Sequence, residues 1–239
     1  MPLVAPARKI LLEVIATTLA DAQCAERAGA DRLELITAFG EGGLTPSIGI
    51  IEAVVDAVTI PVNVIVRPHS RSFVYDTQDQ AAMLRDVGAI AHARAHGVVI
   101  GMLNAAGDID RDALARAVDA ARGLAVTFHR AFDEVRDQRD ALDVLLQFDA
   151  VTNVLTSGGK ASVLQAQQRV RELVAQAQGS HCTVLAGAGL TVEGIGEFVD
   201  ATGVSAVHFG SGVRIGGDGL APIDEGKVAR VRAALDALR

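Results

Sequence analysis

Eight short runs of mainly aliphatic residues recur along the sequence, and segments of helical character separate them. The runs cover residues 10–15, 31–36, 60–66, 97–103, 124–129, 150–156, 182–187 and 204–210. In the segments between them, apolar residues recur every three or four positions, which is typical of amphipathic helices. Strict alternation of eight strands with eight helices over about 250 residues indicates an α/β fold, a (β/α)8 or TIM barrel.

A doubly wound parallel sheet is the main alternative to the barrel. It usually has fewer strands, and its dinucleotide-binding form needs a Gly-x-Gly-x-x-Gly motif after the first strand, which is missing here. No Pro-rich or low-complexity linker divides the chain, so we expect residues 1–239 to form a single domain. Aromatic residues supply only 3% of the sequence. The core must therefore be aliphatic, which suits a parallel sheet covered by helices.

Charge and hydropathy argue against two classes of partner. Lys and Arg total 22 and Asp and Glu total 29, for a net charge of −7. Nucleic-acid-binding domains usually carry a basic patch, so we expect no nucleic-acid partner. No apolar stretch approaches the roughly 18 residues of a membrane-spanning helix, and the first residues lack the apolar segment of a secretion signal. We expect no membrane partner and a cytoplasmic location.

Ionisable residues stand where a barrel of this kind places its active site, at the carboxyl ends of the strands and in the loops that follow. The candidate catalytic residues are Glu13, Glu34, Arg67, His129, Arg130 and Asp133. A carboxylate inside a barrel is costly without a cation, a metal or hydrogen-bond donors, and we expect Arg67 to be the partner of Glu13. The pair could be structural only. A mixture of such groups can also have pKa values pushed apart, as acid and base roles require.

Glycine-rich segments follow the last three runs, at residues 156–160, 186–191 and 209–214. Loops in the last two positions often bind phosphate through backbone N–H groups, and we expect Arg214 to add positive charge there. The alternative is that glycine only permits tight turns. Segment 156–160 is similar to a P-loop but lacks its first glycine and its final Ser or Thr. The candidate substrate-binding residues are Ser157, Gly158, Gly187, Gly189, His208 and Ser211.

Several motifs resemble, in order and spacing, the copper homeostasis protein CutC family. They are LEVIATTLADAQCAERAGADRLELITAFGEGGLTPSIGII, VRPHSRSFVY, LAVTFHRAFDE and VLTSGGKAS, and the resemblance extends from about Leu12 to His208. It implies a cytoplasmic single-domain barrel with a role in copper handling, assembled as a homo-oligomer such as a dimer or tetramer. The polar strand-tip residues of the family fall on the six candidate catalytic residues.

One departure from the family pattern concerns copper. Members of the family commonly have cysteine after the two glutamate motifs, where this chain has Ile15 and Ile36. Cu(I) favours thiolate and thioether ligands, and we expect Cys24 in the first helix and Cys182 at the bottom of the barrel, away from a site at the mouth. The remaining candidate metal ligands are His129, His208 and Met102.

Three functions are compatible with these features. The first is the copper binding and homeostasis that the resemblance implies. The second is an isomerase, epimerase or lyase acting on a small phosphorylated or polyhydroxylated substrate. In that enzyme Glu13 or Glu34 is the base and His129 is the acid or an electrophilic donor. Arg67 and Arg130 hold an anionic group, and a divalent metal ion bridging the glutamates is a variant. The third is a non-catalytic oligomeric scaffold, which buried ionisable residues disfavour.

Overall fold

Eight parallel strands form one closed barrel in chain order in the computed structural model, which describes residues 9–238. The strands are β1 (Leu11–Ala16), β2 (Arg32–Leu35), β3 (Val62–Ile65), β4 (Gly97–Ile100), β5 (Ala125–Phe128), β6 (Val151–Thr156), β7 (Thr183–Gly187) and β8 (Ala206–Phe209). Pairing of β8 with β1, which sets Glu13 opposite His208, closes the barrel. The predicted (β/α)8 fold is confirmed.

Helices cover the outside of the barrel. They are α1 (Leu19–Arg27), α2 (Ile48–Ala57), α3 (Thr77–His92), α4 (Arg111–Ala120), α5 (Gln138–Leu145), α6 (Gln167–Ala177), α7 (Ile195–Thr202) and α8 (Glu225–Ala237). Aspartates cap several of them; the Asp110 carboxylate, for example, accepts a hydrogen bond from the Ala113 N–H at the start of α4. Within residues 9–238, none of the helices has the length and apolar character needed to cross a membrane.

The alternation of side chains along each strand separates two environments. In β1, Leu12 and Val14 are fully buried and belong to the main apolar core, which the strands share with the helices. Glu13, between them, points into the barrel, since successive residues of a strand face opposite sides. Glu13 is one of several buried polar side chains inside the barrel, and those near its carboxyl end belong to the site described next.

Candidate active site

A cavity of about 620 Å³ opens at the carboxyl ends of the strands. Barrel enzymes have their active sites at this end. The predicted site residues that line the cavity are Glu34, Arg67, His129, Arg130, Asp133, Gly189, His208 and Ser211. The other predicted residues lie behind its surface, and three of them, Glu13, Ser157 and Gly187, contact residues that line it.

Glu13 contacts two buried groups behind the cavity. Its Oε2 accepts a hydrogen bond from Arg32 Nε at 2.5 Å, and its Oε1 lies 2.7 Å from His208 Nδ1. Burial alone would raise the pKa of Glu13, but the positive charge of Arg32 and the hydrogen bond from His208 outweigh it and lower the pKa to about 2. The predicted pairing of Glu13 with Arg67 is therefore wrong. The partner is Arg32, which stands opposite Glu13 on the adjacent strand β2.

Glu34 has the opposite electrostatic environment. Burial raises the pKa of its carboxyl to about 7, and the negative charge of Glu13 adds to this effect against the positive charge of His208. His208 Nε2 lies 3.6 Å from Glu34 Oε2. Burial would lower the pKa of His208, but the two carboxylates prevail and raise it. One imidazole thus lies between a carboxylate that stays ionised and a carboxyl that exchanges its proton near neutral pH, which is a pattern of acid–base sites.

Arg67 shapes the cavity wall next to Glu34. Its Nη1 donates hydrogen bonds to the carbonyl oxygens of Glu41 at 2.9 Å and Gly43 at 3.1 Å, which fixes the loop after β2. Its guanidinium carbon lies 4.7 Å from the ring centre of Phe73, a favourable cation–π distance. Within the part of the chain that the structure describes, no carboxylate pairs with Arg67. Its positive charge therefore remains available to an anionic ligand.

His129 is a neutral ring with one defined hydrogen-bond donor. Burial lowers its pKa to about 3, and the positive charge of Arg67 acts in the same direction. Nδ1 accepts a hydrogen bond from the Ala131 N–H at 3.1 Å, so the neutral ring carries its hydrogen on Nε2. Nε2 is buried, and no atom of residues 9–238 forms a hydrogen bond with it. Because His129 lines the cavity, this N–H is a donor for a bound ligand.

Asp133 organises the glycine-rich loop after β6. Its Oδ1 accepts from the Thr156 hydroxyl at 2.5 Å and the Gly159 N–H at 3.1 Å, and its Oδ2 accepts from the Ser157 hydroxyl and Arg130 Nε, each at 2.8 Å. Both carboxylate oxygens are occupied, so Asp133 holds the loop in place. Ser157 is fully buried in this network.

Two predicted glycines are required by close packing. A Cβ on Gly158 would lie 2.6 Å from the Ala166 side chain, and its φ of +67° also favours glycine. A Cβ on Gly187 would lie 3.0 Å from the His208 ring, so this glycine leaves room for the imidazole. From the loop 156–160, Gly159 and Lys160 reach the cavity.

Arg214 does not add charge to the loops after β7 and β8, and this prediction is wrong. The side chain is 2% exposed, and its Nη2 donates to Asp21 Oδ2 at 2.9 Å and to the Ile15 carbonyl at 3.1 Å. Its charge is therefore paired with Asp21 behind the cavity wall. Gly189 and Ser211 do line the cavity, so both loops contribute to its wall.

The donor set at the mouth does not fit a soft copper site. Residues 9–238 contain no group of three or more His, Cys, Asp or Glu residues placed to hold a metal ion. Met102 packs in the apolar core around the barrel, while Ile15 and Ile36 line the cavity where the family commonly has cysteine. Cys182 is buried immediately before β7, and Cys24 lies in α1. Thiolates and thioethers are thus missing from the described wall of the cavity.

The fold and the site together define a class: TIM-barrel proteins with a cluster of acid, base and cationic groups at the barrel mouth. The sequence model of the CutC family matches residues 10–213. The chain belongs to the CutC family.

Relatives and solved structures agree with this assignment. A family protein CutC from Salmonella enteritidis PT4 is 42% identical over 203 residues, which cover 85% of this chain and 80% of the relative. A second, from Pasteurella multocida, is 39% identical over 205 residues, 85% of this chain and 83% of the relative. A solved structure from Streptococcus agalactiae, provisionally described as the copper homeostasis protein CutC, has a TM-score of 0.79 at 29% identity, covering 83% of this chain and 97% of that one.

Proposed function

We propose that this protein is an enzyme that moves a proton on a small anionic carbonyl or hydroxy compound, as an isomerase, epimerase or lyase does. One observation carries the proposal: two buried carboxyls on either side of His208 have pKa values of about 2 and about 7. A general base is most effective when its pKa lies near the working pH. Glu34 meets this condition, and Glu13 does not.

Each ionisable residue then has a distinct role. Glu34 takes a proton from a substrate carbon, and the electron pair of the broken C–H bond moves toward the neighbouring carbonyl oxygen. His129 donates its Nε2–H to that oxygen, where negative charge develops in the transition state. His208 lies beside Glu34, with its Nε2 3.6 Å from Glu34 Oε2, so its positive charge favours the carboxylate form of Glu34, while Glu13 holds the Nδ1 side of the His208 ring. Return of the proton to a different carbon completes an isomerisation, and its return to a different face completes an epimerisation. In a lyase, the electron pair instead expels a leaving group from the next carbon, and the proton held by Glu34 goes to that group.

Cationic groups around the cavity support an anionic substrate. Arg67 lines the wall without a carboxylate partner, and Lys160, at the rim, has no ion-pair partner among residues 9–238; Arg130 also lines the wall, although its Nε is paired with Asp133. Gly189 and Ser211 line the cavity from the loops after β7 and β8, which often bind phosphate in barrels. The volume of about 620 Å³ lies in the range of small-molecule sites. A phosphorylated or carboxylated sugar or hydroxy acid has the matching chemistry.

Proton exchange with solvent tests this function even when the product has not been identified. The protein is incubated in D2O with a panel of sugar phosphates, hydroxy acids and polyols, and loss of C–H signals is followed by proton NMR. We expect at least one phosphorylated or carboxylated compound to take up deuterium at a carbon next to a carbonyl or hydroxyl group. Exchange no faster than in buffer for every compound would contradict the proposal.

Copper handling is the second candidate, and the description of the Streptococcus agalactiae protein favours it. Equilibrium dialysis against buffered Cu(I) separates the two. We expect the wild-type protein to bind Cu(I) no more tightly than a His129→Ala, His208→Ala variant. Because Ile15 and Ile36 belong to one apolar cluster at the cavity, Ile15→Cys with Ile36→Cys should raise the affinity by at least about tenfold by supplying thiolates. Tight wild-type binding that the histidine variant loses would establish copper binding instead.

We also propose that the protein works in the cytoplasm as a homo-oligomer and has no nucleic-acid or membrane partner. The net charge of −7 supports the lack of a nucleic-acid partner. The resemblance to the family supports the location and the assembly. Light scattering of the purified protein tests the assembly, and a mass of 24.8 kDa, that of one chain, would contradict it.

A further inference from the structure

One half of the barrel interior below the site is polar. Four buried side chains occupy it: Arg32 on β2, Asn63 on β3, Thr127 on β5 and Asn153 on β6. The other half is aliphatic and contains Leu11, Leu155, Leu185 and Ala206. Branched aliphatic side chains normally fill the interior of such barrels. The polar half therefore differs from the usual aliphatic interior, and this difference needs a physical reason.

Several polar atoms in this half form no hydrogen bond with any atom of residues 9–238. They are Arg32 Nη2, Asn63 Nδ2, Asn63 Oδ1 and Thr127 Oγ1. The rest of Arg32 is held on both sides, since Nε donates to Glu13 and Nη1 donates to Asn153 Oδ1 at 3.0 Å. Buried polar groups of native proteins are nearly always hydrogen-bonded, to protein or to ordered water. The unpaired atoms of these three residues therefore require a ligand.

A neighbouring glycine makes room for one of these side chains. A Cβ on Gly97 would lie 2.7 Å from Asn63 Oδ1 and 2.5 Å from the Ala125 carbonyl oxygen. Any larger residue at position 97 would force the Asn63 side chain and the backbone of β5 to shift.

We propose that ordered water molecules bind the unpaired atoms of Arg32, Asn63 and Thr127 in the barrel interior, behind the acid–base site. Both hydrogen-bond donors and an acceptor are unpaired here, and water is the ligand that can bind both kinds of atom. Arg32 Nη2 and Asn63 Nδ2 need an acceptor, Asn63 Oδ1 needs a donor, and water supplies both, with about two to four hydrogen bonds per molecule. A monatomic anion cannot donate to Asn63, and the guanidinium of Arg32 repels a metal cation. The proposal does not depend on the proposed function, because it concerns only how these buried groups are satisfied.

Thr127→Val tests the proposal, because valine has nearly the same shape as threonine but no hydroxyl. If water binds the hydroxyl, the variant loses that hydrogen bond, and Tm falls by about 2–4 °C. If no water binds there, the substitution removes an unsatisfied polar atom and Tm rises. Thr202→Val is the matched control: the buried Thr202 hydroxyl donates to the Phe198 carbonyl oxygen at 2.7 Å, so its removal lowers Tm in either case.

A crystal structure of the wild-type protein that resolves ordered water gives a second, independent measurement. We expect density within hydrogen-bond distance of Arg32 Nη2, Asn63 Oδ1 and Thr127 Oγ1. A rise of Tm in Thr127→Val, an interior without density, or density for a single anion on Arg32 would each overturn the proposal.

Discussion

Replacing Arg32 with methionine is expected to lower the free energy of unfolding by about 3–5 kcal/mol, the usual cost of leaving one member of a buried ion pair uncompensated. Methionine keeps much of the length of the side chain, but it cannot donate to Glu13 or Asn153. Among residues 9–238, His208 would then be the one remaining hydrogen-bond partner of the buried Glu13 carboxylate. Urea unfolding at pH 7, followed by circular dichroism, measures the loss.

Two further variants show whether this loss reflects the buried charge. Arg94→Met breaks an exposed pair with Asp56, in which both side chains are more than two-thirds exposed, and should change the free energy by less than about 1 kcal/mol. Adding Glu13→Gln to Arg32→Met removes the stranded charge and should restore part of the stability. If Arg32→Met loses no more stability than Arg94→Met, Arg32 does not stabilise the fold by compensating the buried charge of Glu13.

Glu34→Gln is expected to slow carbon-bound proton exchange by about 10²- to 10⁴-fold, the usual contribution of a positioned acid or base. Glutamine keeps the shape of the side chain but cannot accept the proton. The measurement is the deuterium-exchange rate of the compound identified in the NMR screen. Glu52→Gln is the control, because Glu52 is exposed on α2, and the exchange rate should not change. An unaltered rate in Glu34→Gln would exclude Glu34 as the base.

The stability of Glu34→Gln distinguishes lost chemistry from lost folding. Burial raises the pKa of Glu34 to about 7 in the folded protein, above its ordinary value of 4.5. The folded state therefore binds this proton more tightly than the unfolded state does. The free energy of unfolding falls as pH rises from 4.5 to about 7. Glutamine has no such ionisation. At pH 8 the variant should be at least as stable as the wild-type protein.

The fold could be predicted from the sequence because the strand signal is local. Seven of the eight aliphatic runs contain a whole strand, and β1 extends one residue beyond the first run; the alternation of strands with helices leaves few possible topologies. The site region could be predicted because barrels concentrate polar residues at one end. Of the candidate catalytic residues, Glu13 is the one that does not line the cavity.

The ion-pair partners could not be predicted with the same certainty. Polar residues at the ends of strands are the usual signal of a barrel site, and Arg32 stands instead at the start of β2. One signal was present: Arg32 lies two residues before Glu34, and residues two apart on a strand share a face. The contact between Arg32 and Asn153 crosses the barrel between residues 121 positions apart. The burial of Arg214 against Asp21 spans 193 positions and depends on loops that a sequence pattern does not determine.

The ionisation of Glu34 tests the central claim most directly, because it requires neither a substrate nor a product. The carboxyl carbon of Glu34 is followed by carbon-13 NMR from pH 4 to pH 9, and its signal is assigned by comparison with Glu34→Gln. We predict a midpoint of about 7, with Glu13 already ionised at the start of the titration. A midpoint near 4.5, the ordinary pKa of a glutamate, would contradict the proposal that this carboxyl is the base of a proton-transfer site.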